Sequence, residues 1–225
     1  MVLVSIIMPC YNEEKTVGVC VKKAKKNLSS LHYSHEIIVV DNNCTDASAK
    51  IAKESGARVV QESVPGYGAA CRAGFKAAKG KYMIMGDADD TYDFSKVSEF
   101  VDNLDNGYDF VIGKRIPQRG AMPWLHKYIG NPGLSWLTRL LFSTPVRDVH
   151  CGLRGIRRDK YNQLHFTTTG MEFATDMVIK SAHRKLKTNQ IPIMYYRRAG
   201  DSKLHSFRDG YRHLRFMFST FIKRK

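Results

Sequence analysis

Acidic residues are scarce in this chain: 21 stand against 36 lysines and arginines, a formal charge of +15 over 225 residues. The imbalance points to an anionic partner, and nucleic acid, anionic lipid and phosphorylated substrates all match it. Cysteine is sparse and unpatterned. Cys10, Cys20, Cys44, Cys71 and Cys151 make no Cys-x-x-Cys pair and are odd in number, which excludes a zinc cluster and a complete disulfide framework and leaves reduced, mostly structural thiols. Long apolar runs are missing as well. The best candidate, Gly133 to Val146, is interrupted by Arg139 and falls short of the roughly 20 residues a membrane-spanning helix needs. No basic leader precedes the first apolar run, Val2 to Met8, and Pro9 ends it, so it reads as a strand and not a signal peptide. A cytoplasmic protein is expected. Repeats and low-complexity linkers are also lacking, and the length suits a single domain over residues 1–225.

What is present alternates. The first strand is followed by a helix over Glu13 to Leu28, with Val17, Val21, Ala24 and Leu28 at helical spacing. A strand (Glu36 to Val40), a polar turn (Asp41 to Asp46), a helix (Ala47 to Ser55) and a strand (Arg58 to Gln61) come next. After the glycine-rich loop Val64 to Gly68 come a small-residue helix, Ala69 to Ala78, and the strand Tyr82 to Met85. Such alternation predicts an α/β fold, with a mostly parallel central sheet flanked by crossover helices. The second half is less regular: a helix Ser95 to Asn103, a strand Asp109 to Gly113, a loop around Pro117 to Pro123 and an apolar helix Pro132 to Phe142. A helix near Met171 to Lys185, a strand Thr188 to Tyr196 and a basic helix ending at Lys223 close the chain.

Polar groups gather where strands end, the place where open α/β sheets bind ligands. Asp87-Ala88-Asp89-Asp90 follows the strand Tyr82 to Met85. Two carboxylates one residue apart can meet on one hard divalent cation, since Mg²⁺ or Mn²⁺ is often held by one or two carboxylates and completes its shell with phosphate and water. A solvated acidic turn is the plainer alternative.

Two more strand ends join it. Pro9-Cys10-Tyr11-Asn12-Glu13 follows the first strand, and Asp41-Asn42-Asn43-Cys44-Thr45-Asp46 the second. In this order the three segments resemble the inverting glycosyltransferase family 2, especially its polyprenyl-phosphate sugar transferases of the dolichol-phosphate mannose synthase type, whose nucleotide-binding fold is called GT-A. The resemblance extends from about Val4 to Phe218. It implies that Pro9, Tyr11, Asn12 and Glu13 line the base and ribose site of a GDP- or UDP-linked sugar and that Asp41 contacts the base. It further implies that Asp87, Ala88 and Asp89 form the DxD motif for metal and diphosphate. The second motif departs from the family's frequent Asp-Asp-Gly-Ser-Thr-Asp, losing a charge at Asn42 while keeping the outer aspartates. Asp46 suits the N-cap of the next helix better than a ligand contact. Gly66 and Gly68 permit a close backbone approach, by a ligand or by a tight connection. Arg72 suits a phosphate or solvent equally, and Asp90 and Asp93 either support the metal acids or are simply exposed.

In the second half, Glu172 and Asp176 lie four apart and share a helix face. In the wider family an acid here serves as base for a hydroxyl acceptor, and Asp176 best matches its place. A phosphate acceptor needs no such base. Basic groups would then do the acceptor work, the candidates being Arg115, Arg197, Arg198 and Lys203, the last three in a stretch resembling the family's Arg-x-Gly-x-Ser-Lys element. Asp148-Val149-His150-Cys151-Gly152-Leu153-Arg154 resembles a family stretch bordering the active site, with Arg154, Arg157 and Arg158 at the acceptor entrance or on the surface. A metal or thiolate role for His150 and Cys151 is rejected, because no partner sits at ligand spacing.

The last helix, about Ser206 to Lys223, mixes Tyr211, Leu214, Phe216, Met217, Phe218, Phe221 and Ile222 with arginines. It fits a membrane-surface helix or a packed helix with a basic outer face. In many relatives a similar Asp-Gly-x-Arg-His-Leu-Arg-Phe segment, here Asp209 to Phe216, is followed by membrane helices. The resulting expectation is an inverting, metal-dependent transfer of a hexose to a polyprenyl phosphate, by an enzyme peripheral to the cytoplasmic membrane face. The rivals are transfer to a saccharide hydroxyl, a nucleotidyltransferase, and a nucleic-acid-binding module, the last disfavoured because no RNA or DNA motif is present.

Overall fold

The computed structural model describes residues 3–30, 32–199 and 206–223. Seven strands, β1 (Val4–Cys10), β2 (His35–Asp41), β3 (Arg58–Gln61), β4 (Tyr82–Met85), β5 (Phe110–Pro117), β6 (Arg154–Arg157) and β7 (Thr188–Tyr195), form one sheet in the order β3-β2-β1-β4-β6-β5-β7. β1 is buried along its whole length, as its near-continuous apolar run requires of a strand covered on both faces. β1 pairs in parallel with β2 and β4, β2 with β3, and β5 with β7, while β6 runs antiparallel to both of its neighbours. Six strands therefore point one way. Their carboxyl ends, Cys10, Asp41, Gln61, Met85, Pro117 and Tyr195, share one edge of the sheet.

The helices are α1 (Val17–Ser30), α2 (Ser48–Glu54), α3 (Tyr67–Ala77), α4 (Val97–Asp105), α5 (Asn131–Phe142), the single turn α6 (Arg158–Tyr161), α7 (Phe173–His183) and α8 (Ser206–Ile222). α1 buries Val17, Cys20, Val21, Ala24 and Leu28, the stripe that its sequence period announces. The main core runs through Ile6, Ile7, Met8, Ile38, Val39, Met83 and Ile84, all at full burial. A second cluster, Phe142, Ile179 and Met217, locks α5, α7 and α8 together.

Three elements escaped the sequence reading: β6, α6 and the helical turn His126–Gly130 that leads into α5. Arg154-Gly155-Ile156-Arg157 is too short and too charged to show a strand period. β5 also runs on to Pro117, past the expected Gly113, because alternating Lys114, Arg115 and Ile116 keep pairing with β7. Since β6 is antiparallel to β5, the whole connection over residues 118–153 leaves from and returns to the edge that carries the strand ends.

Candidate active site

Asp87 and Asp89 stand just beyond β4. Between them Ala88 is buried, and its carbonyl accepts from the Thr16 hydroxyl at 2.8 Å, which pins the turn to the start of α1. Asp89 Oδ1 accepts from the Thr91 N–H at 3.1 Å and from the Thr91 hydroxyl at 2.6 Å, a local turn typical of aspartate. Oδ2 is thereby aimed elsewhere. Asp87 Oδ1 accepts from the Tyr67 hydroxyl at 3.0 Å, at the first residue of α3. Burial, and then the charge of Asp89, push the Asp87 pKa up to about 6. The loop before β6 closes over this carboxylate, and the Gly152 N–H donates to the Tyr92 hydroxyl at 2.7 Å. A Cβ at Gly152 would collide with Asp87 Oδ2, so only glycine lets the loop approach this closely.

β7 supplies the cation. Tyr195 bridges to Tyr92, with ring centroids 5.3 Å apart, and the Tyr196 N–H donates to the Thr91 carbonyl at 2.9 Å. These contacts draw residues 197–199 across the end of β4. There the Arg198 guanidinium donates to Asp89 Oδ2 through one nitrogen and to Glu13 Oε1 through another. Acids from the first and fourth strand ends thus converge on one positive group. Their donors are all hard oxygens, the set that suits Mg²⁺ or Mn²⁺. Among the described residues no three His, Cys, Asp or Glu side chains surround one point.

The other strand ends frame the opening. Tyr11 is half exposed. Asn12 takes a left-handed φ of 55°, its side-chain oxygen accepts from the Thr45 N–H at 2.8 Å, and its own N–H donates to Cys44 Sγ at 3.3 Å. Pro9 is buried in β1 opposite Val40. Asp41 spends one oxygen on the Cys44 N–H at 2.8 Å and the other on Gln61 Nε2 at 2.9 Å, so it shapes the turn that borders the opening. Asn42 explains the departure from the family motif. Its amide donates to the carbonyls of Glu62 and Val64 and accepts from the Gly66 N–H, and a carboxylate could not donate those two bonds.

Several candidates are engaged by the chain itself. Gly66 (φ 134°) and Gly68 meet the carbonyls of Thr168, Thr169 and Gly170, so the close approach is to the chain's own loop. Arg72 steadies the same loop through the Thr167 carbonyl. Asp46 accepts from the Ser48 N–H at 2.9 Å and from the Glu14 N–H at 3.1 Å, but it stands one residue before the N-cap expected of it, since α2 is capped at Ala47 without a side-chain bond. Asp90 pairs with Lys23 at 2.8 Å, and Asp93 accepts from the Ser95 N–H at 2.9 Å. Arg115 is almost buried and gripped by Asp148 through Nε at 2.8 Å and Nη2 at 2.7 Å, with its guanidinium 5.4 Å from the Tyr195 ring centre. It therefore ties Asp148 to the last residue of β7. Arg154, expected at an entrance, is fully buried and donates to the carbonyls of Val149, Cys151 and Ala174. Arg157 pairs with the first residue of β4 in the sheet register, which puts it and Arg158 at the opposite edge from the acids.

Asp176 is buried, accepts from Lys180 and the Thr168 hydroxyl at 3.1 Å each, and is raised in pKa by burial. Glu172 faces α8, with Arg212 at 3.4 Å. The two acids are neighbours with different partners. Cys151, pushed up to about 12 by burial, is no nucleophile, and His150 packs against His213 with ring centroids 4.5 Å apart. Of the basic tail, Arg198 reaches the acids, whereas Arg197 is exposed near Gly120 and Lys203 lies outside the described residues. Tyr67, Thr91, Tyr92 and Gly152 were missed. Only the Asp89-x-Thr91 spacing, an Asx turn, announced one of them.

Residues 5–164 match the model of "Glycosyl transferase family 2". The low-salt glycan biosynthesis hexosyltransferase Agl6 of Haloferax volcanii is 36% identical over 95% of this chain, which spans 52% of that relative's length. The dolichyl-phosphate hexose transferase of the same organism is 32% identical, covering 92% of this chain and 88% of its own. Glucosyl-3-phosphoglycerate synthase from Mycobacterium tuberculosis, solved with Mn²⁺, uridine diphosphate and glucosyl-3-phosphoglycerate, superposes with a TM-score of 0.75 at 22% identity, covering 99% of this chain and 79% of that one.

Proposed function

We propose, from the premise that the chain belongs to glycosyl transferase family 2 and is a glycosyltransferase with the GT-A fold, that it moves a hexose from a GDP- or UDP-linked sugar to a polyprenyl phosphate with inversion. The observation that carries this reading is the clasp of Asp89 and Glu13 around one cationic group at the edge where six strands end. Asp87 and Asp89 hold a divalent ion, Mg²⁺ or Mn²⁺, as the solved relative with bound Mn²⁺ and uridine diphosphate suggests. Such an ion supplies the positive charge that stabilises a departing nucleoside diphosphate. Tyr11, Asn12, Glu13 and Asp41 border the nucleoside. Arg198 releases Asp89 when the donor enters and turns its planar fork to the diphosphate, a task suited to arginine. Arg197 and Lys203 offset the repulsion between two anions brought together.

The partners of the acids support a phosphate acceptor. A hydroxyl acceptor needs a base, and Asp176 is buried and tied to Lys180 and Thr168. A phosphate monoester, with a second pKa of about 6, is already an anion at neutral pH. A relative named as a dolichyl-phosphate hexose transferase supports the same choice. The reaction then takes place where the lipid lies, at the cytoplasmic face of a membrane. Incubation with a panel of nucleotide sugars and polyprenyl phosphate tests it, reading lipid-extractable sugar and released nucleotide. A glycolipid and a nucleoside diphosphate are expected. Sugar passing only to saccharide hydroxyls, or release of pyrophosphate, overturns it.

A further inference from the structure

Two exposed surfaces remain outside the site, and one joins it to a second partner. Residues 124–140 carry Trp124 (65% exposed), Leu125, Tyr128, Ile129, Trp136 (61%) and Leu140 (62%). They belong to a helical segment in which His126–Gly130 is a π-helical turn leading into α5. α5 buries Ser135, Thr138 and Phe142 on its inner side, so Trp136 and Leu140 form an outer apolar face one turn apart. Apolar side chains left outward on a helix that already has a buried face mark a contact surface.

Charge selects the occupant. No acidic residue occurs between Asp109 and Asp148, whereas Lys127, Arg139 and Arg147 are interspersed with the apolar groups. α8 packs on α5 through Met217 against Thr138 and Phe221 against Phe142. It presents Leu214, Phe218 and Ile222 outward together with Arg215. A second copy of this chain would bring the same bases face to face with no acid in the segment to meet them. An anionic bilayer meets both demands, since indole and phenol rings seat at the water–lipid boundary and bases pair with headgroups. Among the described residues no helix is long and apolar enough to cross a membrane.

We propose that the outer face of residues 124–140, extended by α8, is a docking surface for an anionic lipid bilayer. Topology gives it a purpose, which rests on the lipid-phosphate reading above. The connection that carries the face leaves β5 and returns to β6 on the sheet edge that holds Asp87 and Asp89. Docking there holds the site beside the surface from which a lipid phosphate rises.

The chain's two tryptophans are Trp124 and Trp136, so intrinsic fluorescence reports this face directly. The full chain is mixed with phosphatidylcholine vesicles with or without phosphatidylglycerol, and none contains polyprenyl phosphate. Co-sedimentation with the anionic vesicles, a blue-shifted emission and weakening by salt are expected. Trp136→Asp combined with Leu140→Asp should cut partitioning roughly tenfold or more, because apolar burial drives interfacial binding. Both side chains are exposed, and unchanged melting of the double variant confirms that it folds. Wild-type tryptophans that stay water-exposed with anionic vesicles overturn the proposal, as does a double variant that binds undiminished. A concentration-dependent dimer that blue-shifts without vesicles also overturns it, in favour of self-association. Vesicle binding without sugar transfer upholds the surface and defeats only the acceptor reading.

Discussion

Asp87 carries a conflict that the fold has not relieved. Its folded pKa, about 6, lies above the ordinary 3.8 because burial and Asp89 oppose its charge. A carboxylate raised in this way favours the fold below the unfolded value, and that benefit is lost as pH rises through about 6. The metal-free chain therefore gives up to about 3 kcal/mol to keep Asp87 ionised at neutral pH. Asp87→Asn should raise the melting temperature at pH 8 while leaving it nearly unchanged at pH 4, and should abolish the stabilisation added by Mn²⁺. Thermal melts with and without the ion check both signs. Arg198 makes a second prediction, because it occupies the carboxylate proposed to take the ion. In Arg198→Ala, Mn²⁺ should bind more tightly in the absence of nucleotide, by titration calorimetry, while kcat falls about 100-fold or more through loss of a preorganised charge. A variant weakened in both would make Arg198 a structural brace only. The acids themselves were legible as Asp-x-Asp at a strand end. Their partners Tyr67, Tyr92 and Gly152 were not, because residues 20, 5 and 65 positions from Asp87 meet it only through the sheet.

At the level of elements, the clearest dependence is that of α8 on a buried polar junction. His213 Nδ1 lies 2.8 Å from the Thr175 hydroxyl of α7, with His150 ring-to-ring beside it and Glu172, Asp209 and Arg212 nearby. Burial lowers the His213 pKa to about 4. A histidine neutral in the fold and charged in the unfolded chain stabilises above about 6.5, and the contribution is lost as pH falls toward 4. By pH 5 about 2 kcal/mol should be gone. His213→Asn should flatten that dependence in melts between pH 7.5 and 5, and an unchanged slope would remove His213 from the account. The periodic elements of the first half were readable because buried parallel strands and amphipathic helices write their period into the sequence. β6 was not, since its two arginines serve different ends: Arg154 is spent on three buried carbonyls and Arg157 lies on the far edge. The Gly66 and Gly68 loop was legible as a turn, and its neighbour, the 168–170 backbone, is about a hundred residues distant.

For the molecule as a whole, +15 of charge has two destinations. Arg198 reaches the carboxylate edge. Others accompany the exposed aromatic face that begins and ends on that edge. The total was readable from composition, but its division was not, because Arg115, a phosphate candidate in sequence, and Arg154, a candidate for the acceptor entrance or the surface, are both held inside the fold. That Asp87 and Asp89 hold the ion that lets the nucleoside diphosphate depart is a proposal that turnover itself can check. Its most direct test is the initial rate of nucleoside diphosphate release in the presence of polyprenyl phosphate, with Mn²⁺ or Mg²⁺ supplied or chelated, for the native chain and for Asp89→Ala. Turnover should vanish on chelation, return with the ion, and be absent from Asp89→Ala at every ion concentration. Turnover that survives chelation, or an Asp89→Ala chain as active as the native one, would contradict it.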